Sequence, residues 1–449
     1  MKKNEKRKLW KQGLGTALVC GLAVAVFPAA KADAADLLKA GPINTTAEHV
    51  TQNQPFAERT AGSQYFRIPA FIVTQKGNLL AAADARYSTT GDGGGLDTIA
   101  SVSTDNGKTW NYSFPLYFPD SDGYIGNTAT TIIDPALVQG KDGEIYCIAD
   151  VNPTGVTTMG GYKAPGEGTG YVKVNGKDYL AVTDNYDNVN TQPKDDDVTT
   201  YAYYVGDWDE NGYARILKRS DHSETEYGVD KWYNLYKVEN GEYKDTLTQK
   251  QVNSNTDIQQ NIFYKGSALH VYNTGYMMYA KTYDDGFTWT DPEILNPQIK
   301  RPTKETALLV SPGQGVLTSD GTIVIPFYDH GDGEENASII WSDDNGKTWE
   351  RSNDVPGAAA GGYWSSESEV VELSDGTLRM FFRSGQGVVC YSDAVRNTSG
   401  DYVFTKPVKT GVSCTSTCNV TAINYSKTID GKQAILVAAP GGSGRANGK

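Results

Sequence analysis

STDNGKTW at Ser103–Trp110, TYDDGFTW at Thr282–Trp289 and SDDNGKTW at Ser342–Trp349 are three copies of one pattern, Ser/Thr-x-Asp-x-Gly-x-Thr-Trp. Each copy is predicted to be a hairpin turn. The aspartate at its third position (Asp105, Asp284, Asp344) caps backbone N–H groups and the glycine supplies a positive φ. The threonine re-enters a strand, and the tryptophan packs the turn onto the core. The last two copies lie 60 residues apart, with short alternating strands such as GTIVIPFYD and ASIIWSDD between them. A period of that size, built from short strands and turns, predicts an all-β fold: a β-propeller with four-stranded blades. The first two copies are 179 residues apart, so the period is interrupted. Residues from about 157 to 255 are rich in Gly, Tyr, Asp and Asn and lack the pattern; they are expected to form an inserted small β domain.

The composition agrees with this fold class and removes several functions. The 449 residues include 48 Gly and 28 Tyr, a bias toward turns and aromatic strands. Lys and Arg number 41 against 54 acids, a net charge of −13 that argues against nucleic acid as a partner. The four histidines (His49, His222, His270, His330) are scattered without HExxH or HxH spacing, so no metal site and no His-based triad is expected. GxSxG is absent. The two GKT tripeptides are not P-loops, because no glycine stands five residues before Gly107 or Gly346. DWDENG at 207–212 imitates the start of an EF-hand loop, but its twelfth position is Lys218 rather than Glu.

The chain opens with the basic stretch MKKNEKRKLWKQ, then the apolar run GLGTALVCGLAVAVFPAA, then small residues at A-x-A spacing. That order predicts a secretory signal peptide over residues 1–34, cleaved after Ala32 or Ala34, and a secreted protein with no membrane partner. The apolar run is shorter than the roughly 20 residues needed to span a bilayer. Cleavage removes seven bases and two acids and leaves 34 bases against 52 acids, a charge of −18. Cys147, Cys390, Cys414 and Cys418 remain, too few to make a disulfide scaffold in a chain this long. Cys414 and Cys418 are placed to bridge, or to be buried as free thiols.

The chemistry is concentrated in one predicted hairpin. YFRIPAFIV (Tyr65–Val73) is followed, after a turn at Lys76-Gly77, by NLLAAADARYS. An even-length loop pairing Gln75 with Asn78 would set Arg67 opposite Arg86, two guanidiniums on one face at the open end of the hairpin. Like charges so placed are destabilising unless an anion or acid compensates them, and a bound carboxylate would do so.

The FRIP tetrapeptide together with the three Asp boxes resembles the bacterial exo-sialidases (neuraminidases), which are six-bladed propellers, from about residue 60 to the end of the chain. The resemblance implies a secreted glycosidase releasing terminal sialic acid from glycoproteins, glycolipids or oligosaccharides without a cofactor; it leaves structural calcium open. It implies that three arginines grip the sialic acid carboxylate: Arg67, Arg383 in RMFFRSGQG and Arg445 in GSGRANG. Arg86 matches a further basic residue of the family pocket, and Ile133-Asp134 matches the wall beside the glycerol and N-acetyl groups. Asp92, in STTGDGGG, matches the acid/base aspartate; Glu367, in SSESEVVELSDG, matches the glutamate that polarises a tyrosine nucleophile.

Elementary chemistry supports these assignments. Sialic acid carries a carboxylate on its anomeric carbon, so a carboxylate nucleophile would be repelled; a phenol deprotonated by a neighbouring Glu would not. Arginine suits the clamp because its planar fork binds two oxygens and keeps its charge. The Gly-rich loop around Asp92 is able to close over the leaving group.

The family's nucleophilic tyrosine lies some tens of residues beyond the third arginine, and here Lys449 stands four residues after Arg445. The chain is therefore expected to be C-terminally truncated, with about five blades present, the tyrosine beyond it, and any surface anchor beyond it as well. Two other activities fit the same residues. A trans-sialidase, including the intramolecular kind that releases an anhydro-sugar, would gain from an aromatic platform such as Trp208 and Trp232 of the insertion. A non-catalytic sugar-binding propeller would not need Asp92, Glu367 and three arginines together. A geometric expectation also follows for the turn SDGT: a three-residue loop, Ser374 to Gly376, or an equivalent bulge, sets Glu367 opposite Arg383, with Glu369 on the same face as the fallback acid. An open space is expected beside Glu367.

Overall fold

The computed structural model describes Pro42–Ile43 and residues 54–441, except 89, 122–128, 157–163, 186–200, 252–255, 332 and 416–417. The proposed signal peptide (1–34) and Arg445 lie outside the described residues.

Four antiparallel four-stranded meanders follow one another as propeller blades. The first is Tyr65–Val73, Leu79–Arg86, Leu96–Ser103 and Trp110–Leu116. The second is Thr131–Gln139, Ile145–Asn152, Tyr276–Thr282 and Glu293–Ile294. Glu305–Val310, Ile323–Gly331, Glu334–Ser342 and Glu350–Arg351 make the third. Ser368–Glu372, Leu378–Phe382, Val388–Arg396 and Tyr402–Phe404 make the fourth, and the hairpin Thr421–Asn424/Ile435–Ala438 comes after it. The core lies between successive blades. Leu137 and Cys147 pack with Leu80 and Val102 between the first two; Ile148 and Met277 meet Leu308 and Ile325 between the next two.

The interruption in the period falls between the second and third strands of the second blade. There the chain leaves to build a separate sheet from Tyr171–Val174 through Glu242–Lys244, closed by His270–Val271 pairing with Lys177–Thr183. Val182, Val205 and Ile216 of this sheet share a core with Ile132 and Val151 of the blade, so the extra sheet is packed onto the propeller.

Each Asp box joins the third strand of a blade to its fourth, and each is built as its residues require. Asp344 Oδ1 accepts the Lys347 N–H at 3.1 Å, the Thr348 N–H at 2.9 Å and the Ser342 hydroxyl at 2.8 Å, while Oδ2 accepts the Thr348 hydroxyl at 2.6 Å. The preceding turn residue and the glycine are both left-handed, Asn345 at φ 63° and Gly346 at φ 75°. Burial works against the charged Asp344, yet the Thr348, Ser342 and Lys347 donors outweigh it and hold the carboxyl down to about 2. Because this folded value is depressed, the stabilisation is present above pH ~4 and is lost as pH falls toward 2. Asp344→Ala is expected to cost about 1–2 kcal/mol at pH 7. Urea unfolding at pH 7 and at pH 2.5 checks this: the difference from wild type should shrink at the lower pH, and an equal loss at both would contradict the assignment.

A second repeated device leads into the second strand of each of the four described blades, from the first strand directly or, in the third blade, from the short strand Val316–Leu317. Gly77, Gly143, Gly321 and Gly376 close three-residue turns at φ 83°, 95°, 91° and 83°. In each, the glycine N–H bonds back to the carbonyl three residues before it, as in Gly77 to Thr74 and Gly376 to Leu373. Only a residue tolerant of positive φ fits there.

Candidate active site

The candidate residues gather where first strands begin and second strands end. Arg67, Ile133 and Asp134 stand near the starts of first strands, and Glu367 just precedes one. Arg86 ends a second strand, and Arg383 follows one.

The FRIP strand differs from the expected register in two ways. Its turn is the three-residue Gln75–Gly77, with Thr74 N–H bonded to Asn78 O at 2.8 Å, rather than a two-residue turn. A bulge then shifts the pairing by one residue between Arg67 and Ala70. Arg67 therefore faces Asp84, and Arg86 faces Tyr65; the two arginines are not opposed. The cause is Pro69, which cannot donate to the ladder, together with Ile68 at φ 56°. A β-branched residue in that region is a true outlier and stores strain at the mouth of the site. The same device recurs in the second blade, where Asp134, also before a proline, has φ 62° and a one-residue shift follows Ile133.

The two guanidiniums nonetheless converge, on Asp92. Arg67 Nη1 donates to Asp92 Oδ1 at 2.8 Å and to Thr90 O at 2.7 Å. Arg86 Nη1 donates to the same Asp92 oxygen at 2.7 Å, and to Gly91 O at 2.6 Å. Arg67 and Asp92 are partly open to solvent, whereas Arg86 is fully buried. The compensating acid of the resting site is thus Asp92 itself, helped by Asp84. Asp84 was not singled out in the sequence; its signal was its place two residues before Arg86, on the same strand face.

The second cluster is the pair Glu367–Arg383. The loop is the three-residue one, with Leu373 N–H bonded to Thr377 O at 2.8 Å and Arg383 N–H bonded to Glu367 O at 2.8 Å. Their side chains meet at 3.0 Å, Arg383 Nη1 to Glu367 Oε2, as that loop requires. Glu369 is buried on the same face; burial pushes its carboxyl well above the usual range, and its Oε2 has no partner among the described residues. A cavity of about 470 Å³ opens beside these acids, bounded by Ile68, Pro69, Gly313, Glu367, Glu369 and Cys418. The FRIP strand and the Glu367 strand therefore border one space.

Asp134 connects the two clusters. Burial first, then the charges of Asp84 and Glu367, push its carboxyl well above the usual range, with Arg86 acting in the opposite direction. Ile133 is buried next to it. Arg445, the third expected arginine, falls outside the described residues. No described tyrosine hydrogen-bonds Glu367; Tyr425 sits just beyond Thr421–Asn424 and is exposed.

Residues 68–449 match the BNR repeat-like domain family. Among curated proteins, the chain is 30% identical to the anhydrosialidase of Macrobdella decora, over 92% of this chain and 54% of that protein. It is 29% identical to sialidase B of Streptococcus pneumoniae, over 86% of this chain and 55% of that protein. The chain thus spans about half the length of the curated relatives it matches. Among solved structures, the intramolecular trans-sialidase from Ruminococcus gnavus superposes with a TM-score of 0.72 at 30% identity, covering 90% of this chain and 83% of that one. A leech intramolecular trans-sialidase superposes at 0.73 and 28% identity, over 88% of this chain and 59% of that one. A repeat-domain match over most of the chain, and a 30% identical structure covered over most of its own length, place one conclusion beyond the fold: the chain belongs to the sialidase family.

Proposed function

We propose that this chain is the catalytic propeller of an exported exo-α-sialidase, cleaving terminal sialic acid from glycoconjugates with retention at the anomeric carbon. The observation that carries this is the pairing of each partly exposed clamp arginine with a carboxylate, Arg67 with Asp92 and Arg383 with Glu367, beside a cavity bounded by the FRIP strand and Glu367. Arg67 and Arg383, with Arg445, hold the substrate carboxylate, which displaces the internal acids from the guanidinium forks. Asp92 is then free to protonate the glycosidic oxygen, and Glu367 to take the proton of a tyrosine seated in the adjoining cavity. The phenolate attacks the anomeric carbon, the aglycone leaves as its alcohol, and a second attack on that carbon frees the tyrosine with net retention. Asp134 and Ile133 form the wall beside the glycerol and N-acetyl groups of the sugar.

The second attack decides the product. Water gives free sialic acid; the sugar's own 7-hydroxyl gives a 2,7-anhydro sugar. Intramolecular transfer is favoured by the similarity to the leech and Ruminococcus gnavus enzymes, and by a leech complex that holds 2,7-anhydro-Neu5Ac. Incubating the protein in its native, full-length form with 3′-sialyllactose and weighing the released sugar tests both. Sialic acid, or a product lighter by one water, is expected. An intact substrate would overturn the catalytic proposal in favour of a sugar-binding propeller.

A further inference from the structure

Asp84 has no part in that mechanism, yet it is a fully enclosed charge beside the site. Its side chain is 0% exposed, as is that of Arg86. Asp84 Oδ2 accepts from Arg86 Nη2 at 2.6 Å and from Arg86 Nε at 3.2 Å, an edge-on grip on the guanidinium. Asp84 Oδ1 accepts the backbone N–H of Asp134 at 2.9 Å. The other end of the same guanidinium reaches Thr90 O at 2.9 Å, Gly91 O at 2.6 Å and Asp92 Oδ1 at 2.7 Å. A continuous chain of contacts therefore runs from the Asp134 amide through Asp84 and Arg86 to the loop that carries the acid/base aspartate.

Each link constrains the next. A guanidinium held along one edge by a single carboxylate cannot rotate about its own axis, so its far edge presents N–H groups in one fixed direction. Those groups are what meet the two loop carbonyls and Asp92. On the other side, the Asp134 backbone is held at φ 62°, which costs a non-glycine residue free energy unless its surroundings enforce it. The Asp84 contact is one such enforcement.

We propose that Asp84 is a positioning residue: through Arg86 it seats the Thr90–Asp92 segment, and through the Asp134 amide it ties that segment to the pocket wall. The inference rests on the sialidase proposal for its consequences in turnover, though not for its structural content. A purely structural Asp84 would merely neutralise a buried arginine. Its loss would then lower activity only as far as it lowers the folded fraction.

Asp84→Asn, measured in the full-length protein, separates these. Asparagine keeps an acceptor for the Asp134 amide but turns an N–H toward Arg86 or loses the edge-on grip. Hydrogen exchange of amides in residues 90–95 is expected to speed at least tenfold, with Tyr276–Thr282 unchanged. For 3′-sialyllactose, kcat is expected to fall about 100-fold while KM moves less than threefold, since the clamp arginines that bind the carboxylate are untouched. If Asp84→Asn does not fold, the double variant D84N/R86M removes both buried charges together, and its 90–95 exchange must rise to the same degree. Unaltered loop exchange in either folded variant would overturn the proposal, as would a kcat loss that only tracks the folded fraction. Calorimetry with 2,3-didehydro-2-deoxy-N-acetylneuraminic acid keeps the two proposals apart. A wild-type protein that fails to bind it defeats the sialidase mechanism, while the exchange result still decides the role of Asp84.

Discussion

Asp92→Asn is expected to lower kcat on 3′-sialyllactose by about 10²- to 10⁴-fold, the usual worth of a positioned general acid. The loss should depend on the leaving group. A lactose alkoxide is a poor leaving group and needs a proton as the bond breaks, whereas an aryl alcohol such as 4-methylumbelliferone departs as a stable anion. The same variant should therefore retain far more of its kcat on the aryl sialoside. Binding should move the other way. In the resting site Asp92 occupies both Arg67 and Arg86. Its neutral replacement frees the partly exposed Arg67 from its internal carboxylate while Arg86 keeps Asp84, so a sialic acid analogue is expected to bind at least as tightly as to wild type. Steady-state kinetics on the two substrates and one calorimetric titration measure all three quantities. Equal losses on both substrates would remove Asp92 from the acid role and leave it as a structural counter-ion.

Much of this geometry is written locally in the chain, and the part that is not has an identifiable cause. The Asp boxes are legible because one side chain satisfies several turn donors at fixed offsets: Asp105, Asp284 and Asp344 all take the hydroxyl of the threonine four residues on. The pairing of Glu367 with Arg383 is legible for a similar reason, since a three-residue turn leaves one register for the strands it joins. The FRIP hairpin uses that same turn, closed by Gly77 as the other is closed by Gly376. Glycines in that role at Gly143 and Gly321 were the available sign that the turn length is common to all blades. The bulge is different. Proline within a strand announces a break in the ladder but not its direction, and the strand that carries Ile68 packs against Thr131–Gln139 and Gly313–Gln314, elements far away in sequence. Asp84 escaped notice because an acid in an alanine-rich buried strand declares its function only once its partner Arg86 and the Asp134 amide stand beside it.

Arg351→Met is expected to destabilise the fold by about 3–5 kcal/mol, the cost of leaving buried charges without their partner. Arg351 is 7% exposed and joins the first, second and fourth strands of the third blade. It donates to Glu305 Oε1 at 2.5 Å, to Asp329 Oδ2, to Asp354 Oδ1 at 3.3 Å and to the Ile299 carbonyl at 3.1 Å. Its guanidinium also lies 4.6 Å from the Phe327 ring centre. Methionine preserves much of the stem volume but none of these donors. The remaining cations compensate poorly. Lys300 donates to the Gly168 and Glu305 carbonyls rather than to the carboxylates, and burial brings its ammonium down to about 8. Arg301 is 3.8 Å from Asp329 but is 43% exposed and already paired with Asp354. The loss should depend on pH with a definite sign. Burial raises the Asp329 carboxyl to about 7 against the pull of Arg351. A carboxyl raised in the folded state favours folding when protonated, so this contribution is full below pH ~4 and disappears as pH rises through 7. Removing the guanidinium raises the folded-state value further, so the variant should be nearer wild type at pH 5 than at pH 8. Urea unfolding at the two pH values measures this, and Asp329→Asn added to Arg351→Met should recover part of the loss at pH 8 by removing one orphaned charge. A cost below about 1 kcal/mol at pH 8, or one equal at both pH values, would mean that water reaches the cluster and that packing, not the ion network, holds the blade.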